Sequence, residues 1–269
     1  MNAAAENRGP GWRLIQLFTV LVYVFMFAPI LVVVVLSFND SQFGGFPMTG
    51  FSFRWYAKLM DNAAVLSAFQ TSIWVAVVTA AVCTVLGVLG AIALVRYEFP
   101  GKEWVNTILI APALVPETVL GVGLLLLMRW GGQPRTLWLL VLGHIMLALP
   151  YVVLVVQARL IGVKRVYEEA AMSLGANRFQ TFREITLPLI MPAIVASLLL
   201  VFTISFDNIT ASMFWRPSGV ETMPTQILSM LKVSISPEIN ALGTLMIIVT
   251  VGLPLLGGGL ARYLARGAR

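Results

Sequence analysis

Charge is scarce in this sequence. Its 18 Lys and Arg and 12 Asp and Glu amount to 11% of 269 residues, where an ordinary soluble domain carries roughly 25%. That supply cannot cover the surface of a soluble domain this size, so the soluble class is excluded. Cysteine is scarcer still. The one Cys83 lies inside an apolar run, which excludes an intramolecular disulfide framework and a metal site of several thiolates. The one histidine, His144, has no Cys, Asp or Glu at ligand spacing, so it reads as a helix-packing hydrogen-bonder and no metal is assigned. Also missing are a GxxxxGK[ST] phosphate loop and any nucleophile-base arrangement, so ATP hydrolysis through that motif and a membrane enzyme are both disfavoured.

Apolar residues are what the chain has in quantity: 59% of the total, with a mean hydropathy of +0.89. An apolar helix of about 20 residues crosses the hydrocarbon core because all its backbone polar groups are bonded internally. Leu14 to Asn39, Asn62 to Val95, Thr136 to Ala158, Ile185 to Phe206 and Ile239 to Ala261 contain no Asp, Glu, Lys or Arg. A sixth window, Trp104 to Met128, is interrupted only by Glu117. The expectation is an all-α integral membrane protein, one domain over 1–269, with spans near 14–38, 69–95, 104–128, 136–158, 187–209 and 239–261. Asn62 to Ala68, in excess of one crossing, are expected as an interfacial lead-in on the outer side.

Charge placement gives an orientation. The first apolar stretch follows Arg8 and Arg13 but is much longer than the roughly 7 to 15 residues of a cleavable signal, so it is expected to stay as an anchor. With the N-terminus inside, the inner segments hold 12 Lys and Arg and the outer ones 6, as the positive-inside rule requires. Both termini are then cytoplasmic. The net charge of +6 reflects this topology rather than a nucleic-acid face. The Gly- and Pro-rich stretches 44–47, 131–134 and 217–219 read as outer turns.

The cytoplasmic loop 159–188 carries the sharpest signal. Helix formers from Glu168 to Leu174 stop at Gly175 and resume through Arg178 to Glu184, a helix-turn-helix pattern. Ala170, Ala171 and Leu174 make a small apolar face, with Arg165, Glu168 and Glu169 keeping the segment in water or at an interface. Pro188 suits the first turn of the next helix and is expected to mark a bend into the membrane.

The string Glu169-Ala170-Ala171, three residues, Gly175, nine residues, Ile185, one residue, Leu187-Pro188 resembles in full the EAA loop of permease subunits of bacterial ABC importers. Leu36-Ser37-Phe38-Asn39, Arg54-Trp55-Tyr56, Pro116 to Gly121, Leu142 to Ile145, Phe202 to Asp207 and Pro237 to Leu242 are similar to segments of the spermidine/putrescine permease subgroup. The resemblance implies a type I importer permease of a bacterial inner membrane. Glu168, Glu169, Ala170, Ala171, Leu174, Gly175, Leu187 and Pro188 would then belong to the segment that docks on an ATP-binding subunit. It implies two permease subunits enclosing the path, often different chains, with two ATP-binding subunits and an extracytoplasmic solute-binding protein. No cofactor is expected in this chain, since ATP and Mg belong to the partner ATPase.

Acids at bilayer depth usually face a cavity or a partner, because burying them in lipid costs at least about 2.5 kcal/mol. Glu117 and Asp207, the latter beside Asn208, qualify; Glu117 follows Pro112 and Pro116 and precedes Gly121 and Gly123, so its helix is expected to kink. If the solute is a polyamine, these carboxylates replace part of the water around each ammonium, and Phe206 and Trp215 add cation–π attraction. The alternative reading is that Glu117 pairs structurally and Asp207 is an interface charge at a helix end. Where the resembled subgroup often has two adjacent acids, this chain has Asp207 followed by Asn208. One acid fewer also suits γ-aminobutyrate, an opine or another amine. An ion-coupled secondary transporter using Glu117 and Asp207 is the rival class, and the complete loop motif argues against it.

Overall fold

The computed structural model describes residues 10–42, 45–233 and 236–267, and side chains as far as residue 259. Arg8, Gly44 and the side chains of Arg262, Arg266 and Arg269, on which parts of the orientation and turn readings rest, lie outside the described residues. Within them the regular structure is helical, with a single isolated bridge between Asn39 and Phe51.

The elements are α1 (Pro10–Leu36), α2 (Arg54–Met60), α3 (Ala63–Arg96), α4 (Lys102–Ile110), α5 (Glu117–Trp130), α6 (Leu137–Ile161), α7 (Val166–Ser173), α8 (Arg178–Thr181), α9 (Leu187–Phe206), α10 (Ile209–Trp215), α11 (Met223–Val233) and α12 (Pro237–Gly267). A 3₁₀ turn (Ala111–Leu114) follows α4, and a π turn (Phe182–Thr186) joins α8 to α9. Among the described residues five helices are long and apolar enough to cross a membrane, and a sixth crossing exists if α4 with its 3₁₀ turn and α5 count as one span.

Two sequence expectations take specific form. Asn62 to Ala68, expected as an interfacial lead-in, are continuous with the span: the Asn62 side chain caps Ala64 N and Val65 N, and the helix runs unbroken from Ala63 to Arg96. The kink expected beside Pro116 in the third span is a bend of 110° between Lys102–Leu114 and Glu117–Trp130. Val115 and Pro116 between them are extended, and a proline disfavours helical backbone in the residue before it.

Where the sequence reads as one integral domain, the packing groups residues into two units, 1–61 with 230–245 and 62–229 with 246–269. In the first, α1 presents its apolar residues outward, Phe18, Tyr23, Phe25 and Phe27 among them, as lipid-facing and packing residues do. Beyond its end, Trp55 Nε1 donates to the Asn39 carbonyl at 2.7 Å. The Phe38 ring stacks on Phe51 at 4.8 Å, and Ser37 and Tyr56 share a hydroxyl hydrogen bond of 2.7 Å. Lys58 pairs with the buried Glu238 at 2.6 Å.

In the second unit α3 packs against α6 and α9. Lipid offers no hydrophobic drive for helix association, so close backbone approach has to supply the contact energy. Ala76, Ala80, Cys83, Gly87 and Ala91 recur every three or four residues along α3 and form such a face. At Gly87 an added Cβ would meet Val152 on α6 at 2.6 Å, which shows how near the two helices come. Val75, Leu139, Leu140, Val141, Leu147, Ala211 and Trp215 form a buried cluster where α3, α6 and α10 converge.

Candidate functional site: the cytoplasmic loop and the bent span

The loop between α6 and α9 folds as its sequence requires. Helix α7 ends in paired reverse bonds, Ala176 N to Ala171 O at 3.1 Å and Gly175 N to Met172 O at 3.0 Å. This termination needs a left-handed residue, and Gly175 supplies it at φ +94°. Asn177 and Gln180 then cap α8 reciprocally, each side chain accepting from the other's backbone N–H.

The expected bend at Pro188 takes another form. Helix α8 continues into α9 through the π turn, in which Leu187 N donates to Phe182 O. Pro188 has no N–H to give, and its ring crowds the carbonyl four residues back. The widened turn just before it relieves that crowding.

Helix α7 buries none of its residues. Glu169, Leu174 and Phe179 are exposed, Leu174 to 90%. Glu168 behaves differently: its carboxylate is largely covered and accepts from Arg96 Nε at 3.0 Å and from Thr186 Oγ1 at 2.9 Å. Of these partners, Arg96 and Thr186 carried no sequence signal, because Arg96 lies 72 residues from Glu168. A cavity of about 400 Å³ lies beside α7, lined by Leu89, Ile92, Arg96, Glu168, Met172 and Phe182 among others.

The second group of residues lies where α5, α6, α9 and α10 meet. Glu117 opens α5, where a carboxylate favours the helix dipole, and its side chain is exposed. Its Oε2 accepts from Asn208 Nδ2 at 3.3 Å. Asn208 is buried and caps α10, its Oδ1 accepting from Ala211 N at 2.7 Å. Asp207, which ends α9, is exposed.

Phe206 and Trp215, expected as cation–π faces, sit elsewhere. Phe206 is 1% exposed and packs against Phe202 and Phe69. Trp215 is fully buried, and its Nε1 donates to the Gly121 carbonyl at 2.9 Å. A ring enclosed on both faces has none to offer a passing cation, so in this conformation both aromatics act in packing. His144 is buried and shares a 2.7 Å hydrogen bond with Ser205 Oγ, the helix-packing role expected of it.

The segments that carried the resemblance gather in two groups, one within each unit. Pro116 to Gly121, Leu142 to Ile145 and Phe202 to Asp207 meet through Glu117–Asn208, His144–Ser205 and the Trp215 indole against Gly121 and Gly143. Residues 36–39, 54–56 and 237–242 meet through Trp55–Asn39, Ser37–Tyr56 and Lys58–Glu238. Among the described residues no group of three or more His, Cys, Asp or Glu is placed to hold a metal.

Residues 83–269 match the family described as binding-protein-dependent transport system inner membrane component. The chain is 38% identical over 250 residues, 93% of its length and 94% of the relative's, to the spermidine/putrescine transport system permease protein PotC of Escherichia coli. It is 36% identical over 257 residues, 92% and 89% of the two chains, to that organism's putrescine transport system permease protein PotI. In fold it is similar to a chain of a bacterial ABC transporter involved in the import of the acidic polysaccharide alginate, with a TM-score of 0.75 at 16% identity over 95% and 97% of the two chains. The chain belongs to the family of inner-membrane permease components of binding-protein-dependent ABC importers, with the all-α type I fold of that family.

Proposed function

We propose that this chain forms half of the translocation path of an ATP-driven importer whose solute is a polyamine, putrescine or spermidine. The observation that carries the reading is identity of 38% across 93% of the chain with a spermidine/putrescine permease. In this reading the second half comes from another permease subunit, a different chain. Two ATP-binding subunits supply the hydrolysis that this chain lacks the motif to perform, and an extracytoplasmic binding protein delivers the solute. Both termini are cytoplasmic, which puts α7 on the side of the ATPases and the turn around 131–134 outside.

Closure of the ATPase pair moves the coupling surface formed by Glu169, Ala170, Ala171, Leu174 and Gly175. Because α8 continues into α9 through the π turn, that motion passes along a continuous helix into the membrane, rocking the half between inward-open and outward-open states. Glu117 and Asp207, exposed at the ends of α5 and α9, are the carboxylates that would meet an ammonium group. Asn208 fixes the first of them without adding charge.

The test is calorimetry on the binding protein that copurifies with the complex, comparing putrescine and spermidine with γ-aminobutyrate and other small amines. Tight polyamine binding supports the reading, and binding of a zwitterion alone removes the polyamine while leaving the importer. The neutral Asn208 where a second acid is expected is the observation that favours a solute of lower charge as the second reading.

A further inference from the structure

We infer that Arg96, Glu168 and Thr186 form a polar strap that fixes α7 to the inner end of α3 and to the foot of α9, making Glu168 a positioning residue for force transfer. The inference rests on the reading of α7 as the coupling segment. It also separates the roles of two adjacent acids: Glu169 faces the partner, and Glu168 holds the lever.

Helix α7 has little apolar anchorage. It buries no side chain of its own and adjoins a cavity of about 400 Å³, so apolar packing contributes little to its position. Polar contacts hold it instead. Arg96, the last residue of α3, is 10% exposed. Its Nε donates to Glu168 Oε1 at 3.0 Å and its Nη2 to the Val163 carbonyl at 3.0 Å.

Arg165 reaches the opposite way. Its Nη2 donates to Val95 O at 2.9 Å, satisfying a carbonyl that the end of α3 leaves without a helical partner. The two arginines thus cross between α3 and the loop, each bonding the other segment's backbone.

The third strand of the strap comes from α9. Glu168 Oε1 also accepts from the buried Thr186 Oγ1 at 2.9 Å, and Thr186 closes the π turn. The extra residue in a π turn rotates the succeeding residues by about 100° relative to a regular helix. Thr186 is the last residue of that turn, so its hydroxyl meets Glu168 from the foot of α9. One carboxylate oxygen thus joins three chain segments in a site 16% exposed on the Glu168 side, where charge-assisted bonds are stronger than in water.

The experiment uses the full complex in proteoliposomes with its ATPase and binding protein. Spin labels go on Tyr97→Cys and Ser173→Cys, because the native Cys83 is buried and escapes labelling. The expected result is one narrow distance, the same in nucleotide-free and ATP-trapped complexes. Glu168→Ala is expected to keep the ATPase subunit bound and hydrolysing, while solute moved per ATP falls roughly fivefold or more and the distance broadens. Glu168→Gln, which retains an acceptor oxygen, is expected to recover part of the loss.

Should Glu168→Ala fail to insert, Thr186→Val, which exchanges the hydroxyl for a methyl group, reads the same ratio with a smaller fall. A distance that changes between states in the parent protein, or unchanged transport per ATP in the inserted variant, overturns the strap. Glu169→Lys separates this from the underlying reading: it is expected to release the ATPase subunit with the distance intact. Full ATPase binding and transport in Glu169→Lys would remove the docking role itself.

Discussion

The indole of Trp215 fills the space that a side chain at position 143 would need. A Cβ built on Gly143 lies 1.8 Å from Cε3 of that ring, and the ring is held by its bond to the Gly121 carbonyl. This glycine is therefore a condition for α10 to lie against α6.

Gly143→Ala is accordingly expected to destabilise the protein by about 1–3 kcal/mol or more, the usual range for overpacking, because a rigid ring cannot yield as a flexible chain end would. Gly123→Ala, which meets nothing within 4 Å, is the control and should be neutral. Thermal unfolding of the two variants in detergent checks this; equal melting temperatures would contradict the packing argument.

Gly175 answers a different demand. Its φ of +94° is strained for any L side chain by roughly 1–2 kcal/mol, and a β-branched residue suffers most. Gly175→Val is expected to abolish transport with membrane insertion intact, since the end of α7 would have to rewind. Uptake and membrane abundance measured together test this, and normal uptake removes the lever argument.

These two glycines differ in how far the sequence disclosed them. Gly175 was legible, because a stop after a run of helix formers is a local signal, as the charge-free windows and the loop string are. Gly143 gave no such signal, since its reason is an indole 72 positions later. The same holds for Glu168 with Arg96, and for Phe206 and Trp215, whose residue type suggested cation contacts while their burial gives them packing roles. Pro116 announced a disturbance in the third span, but not its size of 110°, which depends on what packs on either side. At Gly121, for example, the Phe214 ring lies 2.5 Å from where a Cβ would be.

Glu117 and Asp207 are expected to matter in proportion to the charge of the solute. Glu117→Gln should lower transport of a dication by roughly five- to thirtyfold, the equivalent of one or two kcal/mol, with little change in abundance. Equal losses of transport and abundance would assign Glu117 to folding through its bond with Asn208.

Asn208 provides the complementary test. Aspartate caps a helix as well as asparagine does, so Asn208→Asp should keep α10 capped while placing a second acid beside Asp207. Selectivity is expected to shift toward spermidine over singly charged amines. Asn208→Ala should instead cost about 1 kcal/mol through loss of the cap. Competition uptake assays on both variants distinguish charge from capping, and an unchanged preference in Asn208→Asp would remove these side chains from the path.

The most direct test of the account is uptake of labelled putrescine into proteoliposomes holding the complete complex, with the ATPase subunit either active or inactivated. Uptake is expected to require ATP, the binding protein and an active ATPase. Uptake that persists with the ATPase inactivated would contradict this and return the chain to the class of ion-coupled transporters.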